Sequence, residues 1–302
     1  MTFFRRLGSA SAGGDAVIEQ LTVEAAAKLR IPLFGRFSNA DLVAAVQRHP
    51  DLAFVAHHHR QYALGSHWRR RPEIGEIVEV TRGVYRRQLA ERLIERFRER
   101  EAALVVLDFE EDGNEASFYY QLGFDIIERI IEYERLGCDL DTPVPTRPIR
   151  SYRVGDPSDA RAVLAVERKS FPWLWWNSAE ELAAYESTPG VQLFLALDGA
   201  EVVGYAGISV RGPAAHLDRL AVTATHQRHG YGAALVAHCL GRLVDRGVRR
   251  VTLSTQESNY KSRSLYERLG FRLGRWSHDI SGLWLGKPDE RADSPFSTPH
   301  ER

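Results

Sequence analysis

Cysteine is scarce in this sequence of 302 residues. The two cysteines, Cys138 and Cys239, lie in different halves of the chain and provide no disulfide framework, which favours a reducing compartment. No apolar run approaches the ~20 residues that a helix needs to cross a bilayer. The N-terminal residues also lack the apolar core of a secretion signal. We therefore expect a cytoplasmic protein without a membrane partner.

Net charge is absent as well. The 40 basic and 40 acidic residues cancel, so no overall field attracts nucleic acid, and we expect no nucleic-acid partner. The three arginines at 69–71 are expected to form a solvated turn. The three histidines at 57–59 would point alternately to opposite faces of a strand, so we expect no metal site.

A glycine-rich turn lies between a predicted strand and a predicted helix. Residues 216–222 alternate as in a strand, and residues 234–246 carry leucine and valine at helical spacing. Backbone N–H groups at a helix N-terminus bind phosphate, and glycine permits a close approach. The candidate phosphate-binding loop consists of Gln227, Arg228, His229, Gly230, Tyr231, Gly232 and Ala233.

A second motif follows the next predicted strand, residues 251–255. It begins at Asn259 and reads N-Y-K-S-R-S-L-Y-E-R-L-G-F. The two motifs together resemble those of the GNAT superfamily of N-acetyltransferases, which read R/Q-x-x-G-x-G/A and N-x-x-A/S-x-x-L-Y-x-x-L-G-F in the same order. The resemblance implies an acyltransferase that uses acetyl-CoA as cosubstrate, without a metal, and transfers acetyl to a primary amine by direct attack in a ternary complex.

The resemblance also implies roles for the strand, the loop and the helix that follows. The loop would bind the pyrophosphate of acetyl-CoA, and a β-bulge in the strand of residues 216–222 would separate it from residues 251–255 and open a coenzyme slot. The backbone of this strand would pair with the pantetheine arm. The residues expected to contact the coenzyme outside the loop are Leu220, Ala221, Val222, Asn259 and Ser262.

Tyr266 is the candidate catalytic acid. By resemblance its hydroxyl would protonate the leaving thiolate, although packing against the sheet is the alternative role. The general base has several candidates. Relatives that acetylate ribosomal proteins carry a glutamate twelve residues before the tyrosine, where this chain has Ser254. Asp218 is the candidate base, with His216, Glu257 and a relay of waters as alternatives.

An aromatic segment at residues 170–177 is a candidate acceptor site. In relatives this region lines the acceptor pocket, and its aromatic rings would form a broad apolar wall for a small-molecule or peptide amine. Core packing is the alternative. The candidate acceptor-binding residues are Phe171, Trp173, Trp175 and Trp176.

The C-terminal motif has a diverged copy upstream, in which residues 118–124 read F-Y-Y-Q-L-G-F. An internal repeat indicates two tandem GNAT-like domains, each an α+β fold with a mixed, mostly antiparallel sheet flanked by helices. The first copy has Gln88 or Leu89 at a glycine position and Asp112 in place of Asn259. We therefore expect a degenerate domain that has a structural or acceptor-shaping role. The alternative is a second, weaker coenzyme site, because Arg82, Arg86 and Arg87 are clustered there. The expected boundaries are a degenerate domain at 1–136, a proline-rich linker at 137–148, an acetyl-CoA-binding domain at 149–286 and a disordered tail at 287–302.

Other functions remain open from the sequence. A non-catalytic acyl-CoA-binding or regulatory module is the main alternative, because Ser254 replaces the glutamate of some relatives. A mycothiol-synthase-like enzyme and a protein N-acetyltransferase are further alternatives. The tandem arrangement is compatible with a monomer that forms a pseudo-dimer within one chain.

Overall fold

The computed structural model describes residues 17–29, 37–56, 60–108, 113–137, 146–244 and 246–286. Most of the predicted linker, the histidines at 57–59, Asp112 and the tail at 287–302 lie outside these residues. The chain forms two compact units, Met1–Ser66 with Ile77–Arg100, and His67–Glu76 with Glu101–Arg302. The units are defined by how the chain packs, whereas the predicted domain boundaries are drawn from a repeat in the sequence. Those boundaries stay a prediction.

The first unit contains a small antiparallel sheet with three helices. Strands β1, β2 and β3 pair in sequence order, and buried aliphatic side chains of these strands pack against α1 and α2. Helix α2 begins with a capping box, in which Ser38 and Asp41 satisfy each other's backbone N–H groups. The elements are β1 (Ile18–Gln20), α1 (Val23–Lys28), α2 (Asn39–Arg48), β2 (Ala53–Ala56), β3 (Gln61–His67), the end of β4 (Ile74–Val80) and α3 (Arg86–Glu99).

The start of α3 corresponds to the loop that the repeat predicts to have lost phosphate binding. The side chain of Gln61 covers this helix end, where its Oε1 accepts a hydrogen bond from the Tyr85 N–H at 3.0 Å. A Cβ on Gly83 would lie 2.3 Å from the Gln61 carboxamide carbon. An amide side chain therefore stands beside the helix N-terminus, which gives the predicted degeneration of this copy a structural reason.

The second unit is built on a larger mixed sheet. The order of strands within it is β4, β5, β12, β6, β11, β10, β9, β8 and β7. Only the pairs β4–β5 and β10–β11 are parallel among the pairs of this sheet. Its further elements are β5 (Leu104–Asp108), α4 (Gly113–Tyr120), β6 (Asp125–Leu136), β7 (Ile149–Ser151), α5 (Pro157–Ser170), α6 (Ala179–Glu186), β8 (Val191–Asp198), β9 (Glu201–Arg211), β10 (Ala214–Val222), α7 (Tyr231–Val244), β11 (Arg250–Gln256), α8 (Tyr260–Arg268) and β12 (Arg272–Trp284). The predicted fold class is therefore confirmed.

Helix α7 buries one apolar face on this sheet. Leu235, Leu240 and Leu243 are fully or almost fully buried and contact strand residues such as Leu217 and Leu253 in one core cluster. Removing each such side chain from water contributes about 1.5–3 kcal/mol. This packing holds α7 against β8, β9 and β10.

Strand β6 is the middle strand between β12 and β11. It precedes the predicted linker in sequence, yet it pairs with two strands that follow the linker.

No described helix combines the length and the apolar character needed to cross a bilayer.

Candidate active site

Strand β10 contains a β-bulge at Asp218. Leu217 and Arg219 pair with two consecutive residues of β9. Asp218, which lies between them on β10, is therefore the extra residue. The parallel pairing with β11 ends at Leu217 and Leu253, although both strands continue beyond these residues. The predicted bulge and the predicted separation of the two strands are confirmed, and they leave an opening between the strand ends.

A cavity of about 240 Å³ lies at this opening within the second unit. It is lined by residues from five strands, from α8, from the turn after β3 and from the aromatic segment. The cavity brings together seven of the predicted site residues, namely Phe171, Trp175, Asp218, Leu220, Asn259, Ser262 and Tyr266. It also contains charged residues that the sequence did not single out as a site, namely Arg69, Asp108, Arg219 and His278.

The predicted phosphate-binding loop forms the N-terminus of α7. Gly230 has φ +88°, a conformation that costs a residue with a Cβ but not glycine. A Cβ there would have no atom nearer than the Arg147 Nε at 3.9 Å, so the space above the loop is open. The first N–H groups of an α-helix have no intrahelical partner and are available to an anion. An open turn with free donors fits the pyrophosphate of coenzyme A.

Arg147 contacts this loop from the predicted linker. Its Nε donates a hydrogen bond to the His229 carbonyl at 2.9 Å, and its guanidinium carbon lies 4.9 Å from the ring centroid of Tyr231. Gln227 holds the other end of the loop through a bond from its Nε2 to the Val222 carbonyl at 3.1 Å. Sequence reasoning missed Arg147, because an arginine in a proline-rich segment carries no local motif.

Tyr266 points into the cavity from α8. Its ring contacts those of Tyr133 and Phe271, with centroid distances of 6.2 Å and 6.0 Å. Burial raises the pKa of Tyr266 well above its usual value, and a hydrogen bond with Ser262 opposes this only in part. The phenol is therefore protonated at neutral pH and has a proton to donate. Asn259 caps the helix, since its side chain accepts a bond from the Ser262 N–H at 3.2 Å.

Strand β6 holds α8 in place. The Tyr133 hydroxyl donates to Glu267 at 2.7 Å and accepts a bond from the Arg263 Nε at 3.3 Å. Arg135 donates to the carbonyl of Leu269 at the end of the helix, at 2.7 Å. A strand from the first half of the sequence therefore positions the helix that carries Tyr266.

Asp218 is half-buried and accepts two hydrogen bonds. The Tyr185 hydroxyl donates to its Oδ2 at 2.7 Å, and the Ser209 hydroxyl donates to its Oδ1 at 2.9 Å. Burial raises the pKa of Asp218, while these two donors lower it in part. A Cβ on Gly207 would lie 2.5 Å from the Tyr185 hydroxyl oxygen, so only glycine there lets the tyrosine reach the bulge.

The other candidate bases lie in different surroundings. His216 lines the cavity and makes a hydrogen bond of 2.7 Å from Nδ1 to the Thr252 hydroxyl, and burial lowers the pKa of His216. Ser254 also lines the cavity. Glu257 follows β11, donates its backbone N–H to the Arg129 carbonyl at 2.7 Å and is absent from the described lining of the cavity.

Arg219 and Glu167 form a buried ion pair beside the bulge, with Nη2 and Oε1 2.5 Å apart. The Tyr205 hydroxyl also donates to Glu167, and the Asn177 N–H donates to its Oε2 at 2.8 Å. The guanidinium of Arg219 lies 4.1 Å from the ring centroid of Phe171. The charge of Arg219 is therefore neutralised within the fold. Sequence reasoning missed this pair, because its two residues lie 52 positions apart and no motif joins them.

The aromatic segment divides its side chains between the cavity and the surrounding core. Phe171 and Trp175 line the cavity. Trp173 instead packs edge-on against Trp284, with a centroid distance of 6.4 Å, and Trp176 donates its Nε1–H to the Phe171 carbonyl at 2.7 Å. Two of the four predicted acceptor residues are thus placed to meet an acceptor in this cavity.

The arginines at 69–71 do not form a solvated turn as expected. Arg71 is only 5% exposed, forms an ion pair with Glu73 at 2.7 Å and donates to the carbonyl of Trp173. Arg69 lines the cavity, and only Arg70 is exposed. The expectation was wrong because the turn packs against the aromatic segment, a contact between distant parts of the sequence.

A histidine and a carboxylate that both line the cavity are paired with each other. The His278 Nε2 on β12 is 2.7 Å from an oxygen of Asp108 on the neighbouring strand β5. Within the described part of the chain, no group of three or more histidine, cysteine or acidic side chains is arranged to hold a metal ion.

Comparison with known proteins agrees with this geometry. The family model for acetyltransferases of the GNAT family matches residues 160–271. A mycothiol acetyltransferase of Salinispora tropica is 35% identical over 161 residues, which cover 47% of this chain and 51% of that protein. A [ribosomal protein bS18]-alanine N-acetyltransferase of Escherichia coli is 31% identical over 116 residues, which cover 38% of this chain and 75% of that protein. The alignment thus spans about half the length of the first relative and three quarters of the second.

A solved structure extends the likeness of fold to nearly the whole chain. A tandem GNAT protein from the clavulanic acid biosynthesis pathway superposes over 90% of this chain and 99% of its own, with a TM-score of 0.53 and 16% identity. At this identity the likeness concerns the fold alone, and it agrees with the predicted tandem form. The family model covers only the second half of the chain, in which both motifs are intact. The chain belongs to the GNAT family of acetyltransferases, and its fold is that of the tandem form.

Proposed function

We propose that this protein transfers an acetyl group from acetyl-CoA to a primary amine by direct attack in a ternary complex. The observation that carries the proposal is the opening at the β10 bulge, because it leads into a cavity that contains both Tyr266 and Asp218. A site for the coenzyme and a site for proton transfer are thereby adjacent.

Holding the coenzyme is the role of the loop at 227–233 and of the strand beyond the bulge. Backbone N–H groups of the loop bind the phosphates, with the Arg147 guanidinium nearby. Beyond the bulge β10 still pairs with β9 but no longer with β11, and its backbone on the β11 side accompanies the pantetheine arm. Asn259 and Ser262 line the same cavity. When bound, acetyl-CoA supplies the thioester that the amine attacks.

Proton transfer is the role of two side chains on different elements. The Asp218 carboxylate takes a proton from the incoming amine, and the Tyr266 hydroxyl holds a proton that it can donate to the departing sulfur. The raised pKa of Asp218 favours this role, since a base works best when its pKa lies closer to the working pH. His216 beside it is the second candidate for the same step.

A small amine is the proposed acceptor rather than a protein N-terminus. A cavity of about 240 Å³ with Phe171 and Trp175 in its wall suits an acceptor of modest size. Two further substrates serve as comparisons in the same assay. A mycothiol precursor is chosen because of the similar mycothiol acetyltransferase, and a peptide N-terminus because of the similar ribosomal-protein alanine N-acetyltransferase.

The test is an amine screen that records release of free coenzyme A thiol from acetyl-CoA. We expect turnover with at least one amine and a loss of kcat of about 100-fold or more in Tyr266→Phe. Tyr260→Phe is the matched control, because Tyr260 lies on the same helix but is 72% exposed.

Two outcomes would contradict the proposal. Binding of acetyl-CoA without turnover of any amine would favour the non-catalytic module. Turnover that Tyr266→Phe leaves intact would remove the proposed role of Tyr266 as acid.

A further inference from the structure

The guanidinium of Arg69, which lines the cavity, bonds an amide side chain and feels the more distant charges of Glu167 and Glu181, which raise the pKa of Arg69 in part. Its Nη1 donates to the Asn177 side-chain oxygen at 2.7 Å, and its guanidinium carbon lies 5.4 Å and 5.7 Å from the ring centroids of Trp68 and Trp175. Its Nε is buried and has no hydrogen-bond partner. Among the residues that the structure describes, Arg69 has no ion pair.

The backbone at this point is strained in a way that the surrounding contacts maintain. Arg69 and Arg70 have φ of 51° and 53°, in the left-handed region that costs a non-glycine residue about 1 kcal/mol or more. Trp68 fixes one side of the turn by donating its Nε1–H to the Leu174 carbonyl at 2.9 Å, and Arg71 fixes the other side. These contacts on both sides of the turn therefore hold the strained backbone and keep Arg69 at the cavity.

Three other ionisable side chains of the cavity already have an ionisable partner. Arg219 is paired with Glu167, and Asp108 with His278. Asp218 accepts bonds from Tyr185 and Ser209. Burial and the neighbouring charge of Arg219 lower the pKa of Arg69 to about 10, so it remains a cation at neutral pH. Within the described residues Arg69 is therefore a cavity cation without an ion pair, while the Asp218 carboxylate is held by two neutral hydroxyls.

We propose that the acceptor amine also carries a carboxylate, which binds the Nε edge of the Arg69 guanidinium. An arginine edge with Nε free can donate two parallel hydrogen bonds to a carboxylate. A singly charged carboxylate matches one cation, and Asp108 and Asp218, which line the same cavity, repel it less than they would repel a doubly charged phosphate. Trp68 and Trp175 contact the apolar part of such an acceptor. The class is therefore an amino acid or a small amino-acid analogue.

This inference rests on the proposed function, but its first test does not require turnover. The probes are 3-phenylpropanoate and its uncharged partner 3-phenylpropanamide, titrated by calorimetry into the protein with coenzyme A present. We expect the carboxylate to bind the wild type about 10- to 100-fold more tightly than the amide. In Arg69→Met this preference disappears, while in Arg70→Met, an exposed neighbour in the same turn, it is unchanged.

The second test uses acceptors in pairs, L-phenylalanine with L-phenylalaninamide and β-alanine with β-alaninamide. The ratio of kcat/KM for acid over amide should fall about 10- to 100-fold in Arg69→Met through KM, with the KM for acetyl-CoA unchanged. Arg69→Lys should recover part of the ratio.

The outcomes separate the two proposals. Equal binding of carboxylate and amide by the wild type, or equal loss of both in Arg69→Met, would overturn the carboxylate site. Acetylation of amines without preference for the acid would overturn it and leave the acetyltransferase proposal standing. Carboxylate binding that depends on Arg69 without acetylation of any amine would leave the site standing and overturn the proposed function.

Discussion

The hydroxyl of Tyr185 donates a hydrogen bond to the Asp218 Oδ2 across the β10 bulge, at 2.7 Å. The bond joins helix α6 to the strand that opens the cavity, and Gly207 provides the space for it. It also lowers the pKa of Asp218 against the larger, opposite effect of burial. The geometry of the fold and the protonation of the candidate base are thus linked through one side chain.

Tyr185→Phe should move the acidic limb of the pH–rate profile to higher pH. Removal of a donor to the ionised carboxylate raises the pKa of Asp218 further, so the base is lost at a higher pH as the solution is acidified. Ser209→Ala should shift the limb in the same direction, and Asp218→Asn should lower kcat about 100-fold or more. The measurement is kcat/KM for one acceptor across pH, with Tyr260→Phe as control. An unchanged limb in both donor variants would exclude Asp218 as the group that titrates.

Glu167→Gln should destabilise the second unit strongly. The glutamate side chain is 1% exposed and neutralises Arg219, which is 12% exposed, so its removal leaves a buried cation without a partner. The expected loss is about 3–5 kcal/mol in the free energy of unfolding. Urea denaturation followed by tryptophan fluorescence measures it, with Glu180→Gln on the surface as control. A loss below 1 kcal/mol would mean that the pair is not buried in solution.

Asp159 should make the free energy of unfolding depend on pH. Its side chain is 1% exposed and pairs with both Arg150 and Arg153, and these bonds hold the pKa of Asp159 far below the usual aspartate value. A depressed folded-state pKa adds stability above the unfolded-state pKa of about 3.9, and this stability is lost as the pH falls below that value.

Asp159→Asn should therefore lower the free energy of unfolding by about 2–3 kcal/mol at pH 7 and reduce its decline below about pH 4. Urea denaturation at neutral and acidic pH tests both effects. The same steep acid decline in the variant and the wild type would assign the acid sensitivity to other carboxylates.

The parts of the site that the sequence predicted are those that lie close together along the chain. The loop at 227–233 and the helix that begins after Asn259 each need several residues at fixed spacing, so a motif records them. Tyr266 follows from the second motif, and a bulge somewhere in the strand of residues 216–222 follows from the resemblance, although only the structure places it at Asp218. These features depend on local geometry, which a short stretch of sequence determines.

The parts that the sequence did not predict come together only through the sheet. Asp108 and His278 face each other because β5 and β12 are neighbours, although 170 residues separate them. Arg69 reaches the cavity through a turn that packs on the aromatic segment, and β6 enters between β11 and β12. Such contacts follow from strand order, which no motif in a single sequence specifies.

The most direct test of the account is calorimetric titration of acetyl-CoA into the wild type, Gly230→Glu and Gly247→Glu. Gly230 and Gly247 both have positive φ, at +88° and +68°, and both have open space for a side chain, but only Gly230 lies in the loop. The backbone strain is therefore matched, and only the first variant places a carboxylate where the phosphates would bind. We expect one site in the wild type and in Gly247→Glu, and none in Gly230→Glu. A site that survives in Gly230→Glu, or a second site in the wild type, would contradict the assignment of coenzyme binding to this loop alone.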